Sequence, residues 1–369
     1  MRLVKLALQS QKCLLISFTL GVVSAIFLFT TYDSYLDDYL YLQNIDNQSK
    51  LEFSNFLASN LKNYQDLQTF VQRLKIFIDN KSFIQKSNKE NKDFQLIQNY
   101  FSDQTEQEYK QTLTLKTQKN VKNIKKIEQV VDQLKNLGNT NAFKTISKAM
   151  PQSLDWRYSN IVTAIKNQGS CGSCYAFAST ASLESLLLLQ DKNKFKGIDL
   201  SEQQLLDCSD NYYGNSGCRG GDMYYAFAYL KQNKIQSEST YPYIGKDSLC
   251  RYDANKGIIN IKGQIYFSTD NTTLIKEQVL KGPITVGMDA SSPYFRQYSS
   301  GIITTTKCGT SLNHAVIIIG YGLDKGLEYW IIKNQYGTRW GERGFARIKM
   351  QNGQGICGLN QYIVIPVLN

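Results

Sequence analysis

A reactive side chain is predicted within one short stretch of the chain, Asn167-Gln-Gly-Ser-Cys-Gly-Ser-Cys-Tyr-Ala-Phe177. Its second cysteine, Cys174, begins a segment whose apolar pattern predicts a helix that extends to Gln190. The unpaired backbone N–H groups and the dipole at the start of a helix favour a negative charge there. Because the nucleophilic form of cysteine is the thiolate, this position predicts a nucleophilic thiol at Cys174.

A nucleophilic thiol needs a base, and the chain contains a single histidine, His314. A lone histidine is more often an ordinary core or surface residue. His314, however, precedes an apolar run, Ala315-Val-Ile-Ile-Ile319, that is typical of a buried strand, and a residue at a strand start can face a cleft. Asn334 ends the next such run, Tyr329-Trp-Ile-Ile-Lys-Asn334, and is predicted to orient the histidine.

Cys171 and Cys174 also form a Cys-x-x-Cys pair, which occurs in zinc sites and in dithiol oxidoreductases. A structural zinc ion takes four ligands, whereas the chain has one histidine and no second Cys-x-x-Cys pair. The redox motif is expected directly after a strand, whereas Gln168-Gly-Ser-Cys171 has the composition of a loop. Both readings are disfavoured, and we expect no metal and no cofactor.

Two regions of different composition must position these residues, and they divide near Pro151. Residues 50–110 carry apolar side chains at three- and four-residue spacings that predict helices, and residues 111–150 are polar and predict a linker. After Pro151, helical patterns come first and strand patterns dominate from about Ile258: helices at 174–190, 201–207 and 223–231, strands at 284–286, 315–319 and 329–332. The order predicts an α+β fold with a helical lobe and a lobe of strands.

The charge of the chain does not indicate a nucleic-acid partner. The formal net charge is +11, with 20 Lys and Arg against 14 Asp and Glu in residues 1–150 and 22 against 17 in 151–369. Lysine-rich stretches of this kind are usually solvated, and no basic helix carries interleaved aromatic residues.

The amino terminus predicts entry into the secretory route. Arg2, Lys5 and Lys12 precede an apolar run at 13–32 that contains no charge. Residues 1–32 therefore form either a cleaved signal peptide or a signal anchor, in which 13–32 would be a membrane tether. Of eight cysteines, seven lie beyond this segment, and an odd number in an oxidising compartment predicts disulfides and one free thiol.

The motifs together resemble the papain and cathepsin family of cysteine peptidases. Cys171-Gly-Ser-Cys-Tyr175 has the form of the family's nucleophile motif, with a histidine and an asparagine downstream. Further blocks occur in the family's order: Ser201-Glu-Gln-Gln-Leu-Leu-Asp-Cys208, Gly217-Cys-Arg-Gly-Gly221, Tyr241-Pro-Tyr243, Asn313-His-Ala-Val316 and Gly337-Thr-Arg-Trp-Gly341. They cover nearly all of 151–369, which the resemblance implies is a mature peptidase domain with a two-lobed, papain-like fold.

The resemblance implies a role for each residue of the site. Cys174 would attack the scissile carbonyl as a thiolate paired with the imidazolium of His314, which then protonates the leaving amine. Asn334 would orient the ring of His314. The side-chain amide of Gln168 and the backbone N–H of Cys174 would stabilise the oxyanion.

The resemblance also implies three disulfides and a substrate-binding set. The disulfides would be Cys171–Cys218, Cys208–Cys250 and Cys308–Cys357. The substrate-binding residues would be Gly220, Gly221, Met223, Gly287, Leu312, Ala315, Tyr336 and Tyr362. Because the pocket for the second residue before the scissile bond presents no charge in this set, we expect Leu, Val or Phe there and poor acceptance of Arg.

The upstream helices resemble an inhibitory propeptide of the cathepsin L type. The resemblance rests on Arg73-x-x-x-Phe77-x-x-Asn80-x-x-x-Ile84-x-x-x-Asn88 and on Asn99-x-Phe101-x-Asp103. It implies that residues 50–110 form a helical cap and that the segment after Asp103 runs through the cleft in the direction opposite to substrate. Ionised Asp103 is expected to hold the cap together, so acid would loosen it and permit cleavage near Met150.

Four residues depart from the family pattern. Thr69 occupies a position that is normally glutamate, Tyr175 replaces the usual tryptophan, and Asn334-Gln-Tyr-Gly337 replaces Asn-Ser-Trp-Gly, so that Tyr336 stands for the indole over the Asn–His hydrogen bond. These changes put catalytic efficiency in question and leave the class unchanged. The competing functions are a catalytically weak or silent homologue that binds peptides and a dithiol oxidoreductase.

The expected partners are peptide substrates and the chain's own propeptide, and the expected state is a monomer. A lysosome, another acidic vesicle or the extracellular space is the expected location.

Overall fold

The computed structural model describes residues 36–117, 150–210 and 212–369. The predicted signal or anchor at 1–32 and most of the predicted linker 111–150 lie outside these residues. Within the described ranges, no helix has both the length and the apolar character needed to cross a bilayer. The described residues divide into two compact units, with the boundary between Asn80 and Lys81.

The first unit is built from helices, as its apolar spacings predict. Helix α1 spans Asn47–Ser59 and helix α2 spans Leu67–Glu90, of which the residues from Lys81 onward belong to the second unit. The side chain of Asp46 caps α1 by accepting a hydrogen bond from Ser49 N at 2.8 Å. An aromatic cluster forms the core of this unit, with Phe53, Phe56, Leu74 and Phe77 all buried.

The prediction of helices throughout 50–110 is wrong at Phe94–Leu96, which form strand β1. Phe94 and Leu96 are buried and Gln95 is exposed, the alternation expected of a strand. Asn88 holds the segment extended, because its side chain donates to Leu96 O at 2.9 Å and accepts from Leu96 N at 2.8 Å. A three-residue strand is defined by its pairing partner, here residues 298–301, and not by a local pattern. Helix α3 follows at Glu106–Lys110.

The region after Pro151 begins with strand β2 (Leu154–Asp155) and then forms the helical lobe. The three predicted helices are confirmed as α4 (Cys174–Gln190), α5 (Glu202–Cys208) and α6 (Met223–Gln232). Helix α4 is buried on nearly all sides, which its high content of apolar and small residues permits. Its side chains form one hydrophobic core with those of α5 and α6.

The strand lobe follows, and the three predicted strand segments are confirmed within it. Its elements are β3 (Gly263–Phe267), α7 (Thr272–Val279), β4 (Ile284–Met288), α8 (Pro293–Arg296), β5 (Tyr298–Ile303), β6 (His314–Asp324), β7 (Leu327–Lys333), β8 (Phe345–Lys349) and β9 (Ile363–Val367). The sheet has the order β1-β5-β8-β7-β6-β4-β9-β3, with β2 beside β6. A second hydrophobic core lies within this lobe.

The two lobes meet where α4 packs against β6. The first residue of α4 is Cys174 and the first residue of β6 is His314. The fold therefore brings together two residues that are 140 positions apart in the sequence. Strand β2, which was not predicted, pairs with β6 although it precedes the helical lobe in the chain.

Candidate active site

Cys174 is the free cysteine of the described residues, and it is fully buried. It is the first residue of α4, and Ser173 before it makes no side-chain hydrogen bond to the helix. The hydroxyl of Ser173 lies instead 2.7 Å from Tyr243 Oη. The backbone N–H of Ala315, the residue after His314, lies at the thiol and lowers its pKa. The thiol is thus located between the start of α4 and the start of β6.

The six other cysteines of the described residues form three disulfides, which are the pairs implied by the resemblance: Cys171–Cys218, Cys208–Cys250 and Cys308–Cys357. Since Cys171 is bonded to Cys218, it does not form a redox pair with Cys174 in this structure. The dithiol oxidoreductase reading has no support here.

His314, the first residue of β6, and Asn334, the residue directly after β7, lie side by side. The ring nitrogen Nε2 of His314 is 2.9 Å from Asn334 Oδ1, and both residues are buried. Because an amide oxygen only accepts hydrogen bonds, Nε2 carries the proton in this arrangement and Nδ1 is left as an acceptor. Nδ1 has no hydrogen-bond partner among the described residues.

Burial changes the protonation of both groups. It raises the pKa of the Cys174 thiol to about 11, an effect that the backbone N–H groups of Ala315, Tyr175 and Thr114 only partly offset. Burial likewise lowers the pKa of His314 to about 4, despite the hydrogen bond to Asn334. Burial therefore favours the neutral thiol and the neutral imidazole, whereas the field of the helix start favours the thiolate.

Gln168 lies in the loop before α4 and is 1% exposed. Its side-chain Nε2 donates to Cys171 O at 2.9 Å, and its Oε1 has no partner among the described residues. Its backbone N–H donates to Gln335 O at 3.0 Å, which ties this loop to the one that carries Asn334. Gln335 also contacts His314, and the sequence analysis did not single it out.

Tyr336 covers His314, as its place in the sequence suggests. The two ring centroids are 5.1 Å apart with an interplanar angle of 33°. Trp340 packs against the other side of Tyr336, with centroids 5.6 Å apart. The hydroxyl of Tyr336 lies 3.3 Å from the hydroxyl of Tyr109, which donates to Ala290 O at 3.1 Å. An indole at position 336 has no hydroxyl with which to make that contact.

The segment after α3 crosses the region above Cys174. Thr114 Oγ1 donates to Gly172 O at 2.8 Å, Leu115 N donates to Asn313 O at 3.0 Å, and Lys116 N donates to Gly221 O at 2.9 Å. Leu115 and Gly221 form a parallel bridge. A chain that runs in the opposite direction through the same position would pair with Gly221 in the antiparallel sense.

Glycine at position 220 is required by this close approach. A Cβ atom at Gly220 would lie 2.0 Å from Thr114 O, which no side chain could tolerate. The backbone of Gly220 also has a φ of 104°, in the region that favours glycine.

The side chain of Leu115 occupies a pocket formed by predicted substrate-binding residues. A Cβ atom at Gly287 would lie 3.1 Å from Leu115 Cδ2, 3.3 Å from Leu312 Cδ1 and 3.4 Å from Tyr362 Cβ. Met223, Ala315 and Tyr362 belong to the same hydrophobic cluster as Leu115, and Leu312 packs against that cluster. The structure thus brings together residues from α6, β4, β6 and the segment before β9.

Asp222 lies beside this pocket and was missed by the sequence analysis. It is fully buried between Gly221 and Met223, and the Tyr362 hydroxyl donates to both of its carboxylate oxygens, at 2.8 and 2.7 Å. The carboxylate also accepts from Tyr224 N at 2.9 Å as the cap of α6. Asp222 directly follows the Gly220-Gly221 block that the sequence analysis assigned to substrate binding, which could have drawn attention to it. Only the fold shows that Tyr362 separates the Asp222 carboxylate from the pocket.

Comparisons with known proteins agree with this geometry. Residues 150–367 match the papain family of cysteine proteases, and residues 53–109 match the cathepsin propeptide inhibitor domain. This chain belongs to the papain family of cysteine proteases. It is a proenzyme with its own inhibitor domain, and the papain-like α+β fold predicted from the sequence is confirmed.

Three relatives illustrate the extent of the likeness. The thiol protease aleurain of Arabidopsis thaliana is 33% identical over 86% of this chain and 84% of its own length. A cathepsin L-like proteinase of Fasciola hepatica is 39% identical over 61% of this chain and 68% of its own. The structure of a digestive procathepsin L from the larval midgut of Tenebrio molitor is similar with a TM-score of 0.75 and 31% identity, covering 88% of this chain and 100% of that one.

Proposed function

We propose that this papain-family protease hydrolyses peptide bonds through Cys174, His314 and Asn334. The Cys174 thiolate attacks the scissile carbonyl and forms a thioester with the acyl part of the substrate, while His314 donates its proton to the leaving amine. Water, deprotonated by His314, then attacks the thioester and regenerates the thiol. The observation that carries this proposal is the 2.9 Å contact between His314 Nε2 and Asn334 Oδ1, which leaves Nδ1 as the acceptor for the thiol proton.

The oxyanion would be stabilised by donors next to the nucleophile. The backbone N–H of Cys174 is at the start of α4, where helix N–H groups have no intrahelical acceptor. The Gln168 side-chain NH2 donates to the Cys171 carbonyl within the same loop, and it would exchange this bond for one to the oxyanion when substrate binds.

The precursor would be latent because its own residues fill the substrate site. Thr114 and Leu115 lie at Gly220 and Gly287, and burial of Cys174 and His314 favours the neutral form of both groups. The parallel sense of the Leu115–Gly221 bridge fits a segment that runs opposite to substrate. Removal of the segment would admit water, which favours the charged thiolate and imidazolium.

The rate of alkylation of Cys174 by iodoacetamide tests this proposal. With a pKa of about 11, the thiolate fraction in the precursor at pH 7 is about 10⁻⁴, so the rate should rise about tenfold for each pH unit up to that pKa. After processing, we expect labelling at pH 7 to be at least about 100-fold faster. Mass spectrometry locates the label, with the disulfide-bonded cysteines as internal controls.

Two outcomes would contradict the proposal. A processed enzyme that binds peptides but neither reacts at Cys174 nor cleaves them would indicate the silent homologue. Equal labelling rates in the precursor and the processed enzyme would show that the segment at 114–116 does not control the thiol.

We further propose that the chain enters the secretory route through residues 1–32 and matures in an acidic vesicle or outside the cell. The three disulfides support passage through an oxidising compartment. Whether 13–32 is removed or kept as a tether is decided by the amino terminus of the precursor isolated from cells.

Incubation of the purified precursor between pH 4 and pH 7 should give cleavage only at the acidic end. The resemblance to inhibitory propeptides carries this expectation, and Asp103, the carboxylate assigned to hold the cap together, is fully buried. The product should begin near Met150, as read by amino-terminal sequencing, and activity should appear together with the shorter chain. Full activity of the uncleaved precursor at neutral pH would exclude an inhibitory propeptide.

A further inference from the structure

Gln335 occupies an unusual place beside the proposed general base. It follows Asn334 directly, at a position where the resembled family usually has serine, and it is 5% exposed. Its backbone oxygen accepts the hydrogen bond from Gln168 N at 3.0 Å. One residue therefore adjoins Asn334, supports the loop of Gln168 and directs its side chain at His314.

The orientation of the Gln335 amide is determined by its partner. Nε2 lies 2.9 Å from Ala315 O, and a backbone carbonyl only accepts hydrogen bonds, so the NH2 group must be on this side. The same NH2 group lies 3.3 Å from His314 Nε2. Because the side chain is buried and held by Ala315 O, this proximity is a fixed part of the site.

The side-chain amides of Asn334 and Gln335 present opposite ends of their dipoles to His314 Nε2. Asn334 Oδ1, at 2.9 Å, requires a proton on His314 Nε2. The Gln335 NH2 group, which donates to Ala315 O, directs the positive end of its dipole at the same ring nitrogen. The imidazolium carries a full positive charge, so the positive end of the Gln335 dipole opposes the charged ring, whereas the acceptor Asn334 Oδ1 favours it.

Other titratable groups around His314 are few. Cys174 on α4 adjoins the Ala315 N–H, and Tyr336 covers the ring. From β4 the neighbour is Met288, and from α8 it is Phe295, neither of which titrates. On the far side of Asn334 and Gln335, charged side chains line a small cavity: Lys166, Glu184, Glu202 and Lys333.

We propose that Gln335 is a positioning residue that lowers the proton affinity of His314 and thereby sets the alkaline limit of peptidase activity. The proposal rests on the proposed role of His314 as the general acid and base. In the working enzyme the imidazolium must persist until it protonates the leaving amine, so a group that opposes the charged ring moves the loss of activity to lower pH.

The test is the pH profile of kcat/KM for enzyme obtained by processing of the full chain. In Gln335→Ser we expect the alkaline limb to move upward by about 0.5 to 1 pH unit, since the opposing dipole is removed. Gln335→Met keeps the length and bulk of the side chain without the amide and should shift in the same direction. Asn334→Ala removes the acceptor and should shift the limb downward.

A second measurement does not depend on activity. Since the chain contains one histidine, nitrogen-15 labelling of histidine in untagged protein reports the tautomer and the titration of His314 alone. Its titration midpoint should rise in Gln335→Ser and Gln335→Met. Unchanged midpoints and superposable pH profiles in both variants would overturn the proposal for Gln335. Retention of activity by the processed Cys174→Ala variant would instead overturn the proposed mechanism.

Discussion

Replacement of Cys174 by alanine is expected to lower kcat/KM for a dipeptidyl amide substrate by about 10⁵-fold or more, because no other residue of the site can form the acyl intermediate. The structural cost should be small. Alanine removes one buried sulfur atom and leaves the helix start intact, and alanine is the best helix former. The three disulfides do not involve this residue.

The measurement is a progress curve with a fluorogenic substrate, paired with a thermal melt and a disulfide map of the same preparation. Because Cys174→Ala would not process itself, an exogenous protease must remove its propeptide, and wild type is treated in the same way. Ser173→Ala is the matched control. That side chain contacts Tyr243 and does not cap α4, so its loss should cost about 1 kcal/mol of stability and little activity. Comparable activity of wild type and Cys174→Ala would exclude Cys174 as the nucleophile.

Opening the pocket of Leu115 should produce the second large effect, a change in substrate preference. The Tyr362 side chain extends from the Leu115 pocket to Asp222, so we expect the second residue before the scissile bond to meet apolar walls. Leu, Val or Phe should be preferred there, and the Leu115 side chain already shows that a leucine fits. Arginine should be rejected, since burial of an unpaired cation is costly.

Tyr362→Ala removes the ring and exposes the Asp222 carboxylate to the pocket. We expect the ratio of kcat/KM for arginine to that for leucine to rise by about 100-fold, which corresponds to about 2.7 kcal/mol. Loss of the buried ring should destabilise the fold by about 3 to 5 kcal/mol, so assays belong at low temperature.

The matched control is the double variant Tyr362→Ala with Asp222→Asn. Asparagine caps a helix as well as aspartate does, so the bond to Tyr224 N is retained while the charge is lost. The arginine preference should then disappear. A folded Tyr362→Ala enzyme that still rejects arginine would show that the carboxylate is not within reach of the pocket. A wild-type enzyme with its highest kcat/KM for arginine at the second residue before the scissile bond would contradict the expected apolar preference.

The class of the protein and much of its fold could be predicted from the sequence, because their signals are local. The nucleophile motif and the helix at 174–190 lie within one continuous segment, and the apolar runs at 315–319 and 329–332 have the length and composition of buried strands. Helix starts and strand periodicity depend on neighbours in the chain, so they can be read without knowledge of the fold.

Other features were decided by tertiary contacts alone. The strand at Phe94–Leu96 exists through pairing with β5 and the Asn88 side chain, within a region whose spacing indicates helix. Asp222 and Tyr362 are 140 residues apart, and no local pattern predicts that the phenol covers the carboxylate. The pKa shifts of Cys174 and His314 are also decided by tertiary contacts, because the burial of a residue depends on which distant segments pack over it.

The sequence by itself thus determined the reaction class, the candidate residues Cys174, His314 and Asn334, and the presence of an inhibitory propeptide. Only the tertiary structure decided the direction in which burial shifts the pKa values of the thiol and the imidazole, the occupant of the Leu115 pocket and the contact of Gln335 with His314. The physical reason is one of range. Residue type and helix or strand propensity act over a few positions of the chain, whereas desolvation and hydrogen bonding depend on atoms brought together from distant segments.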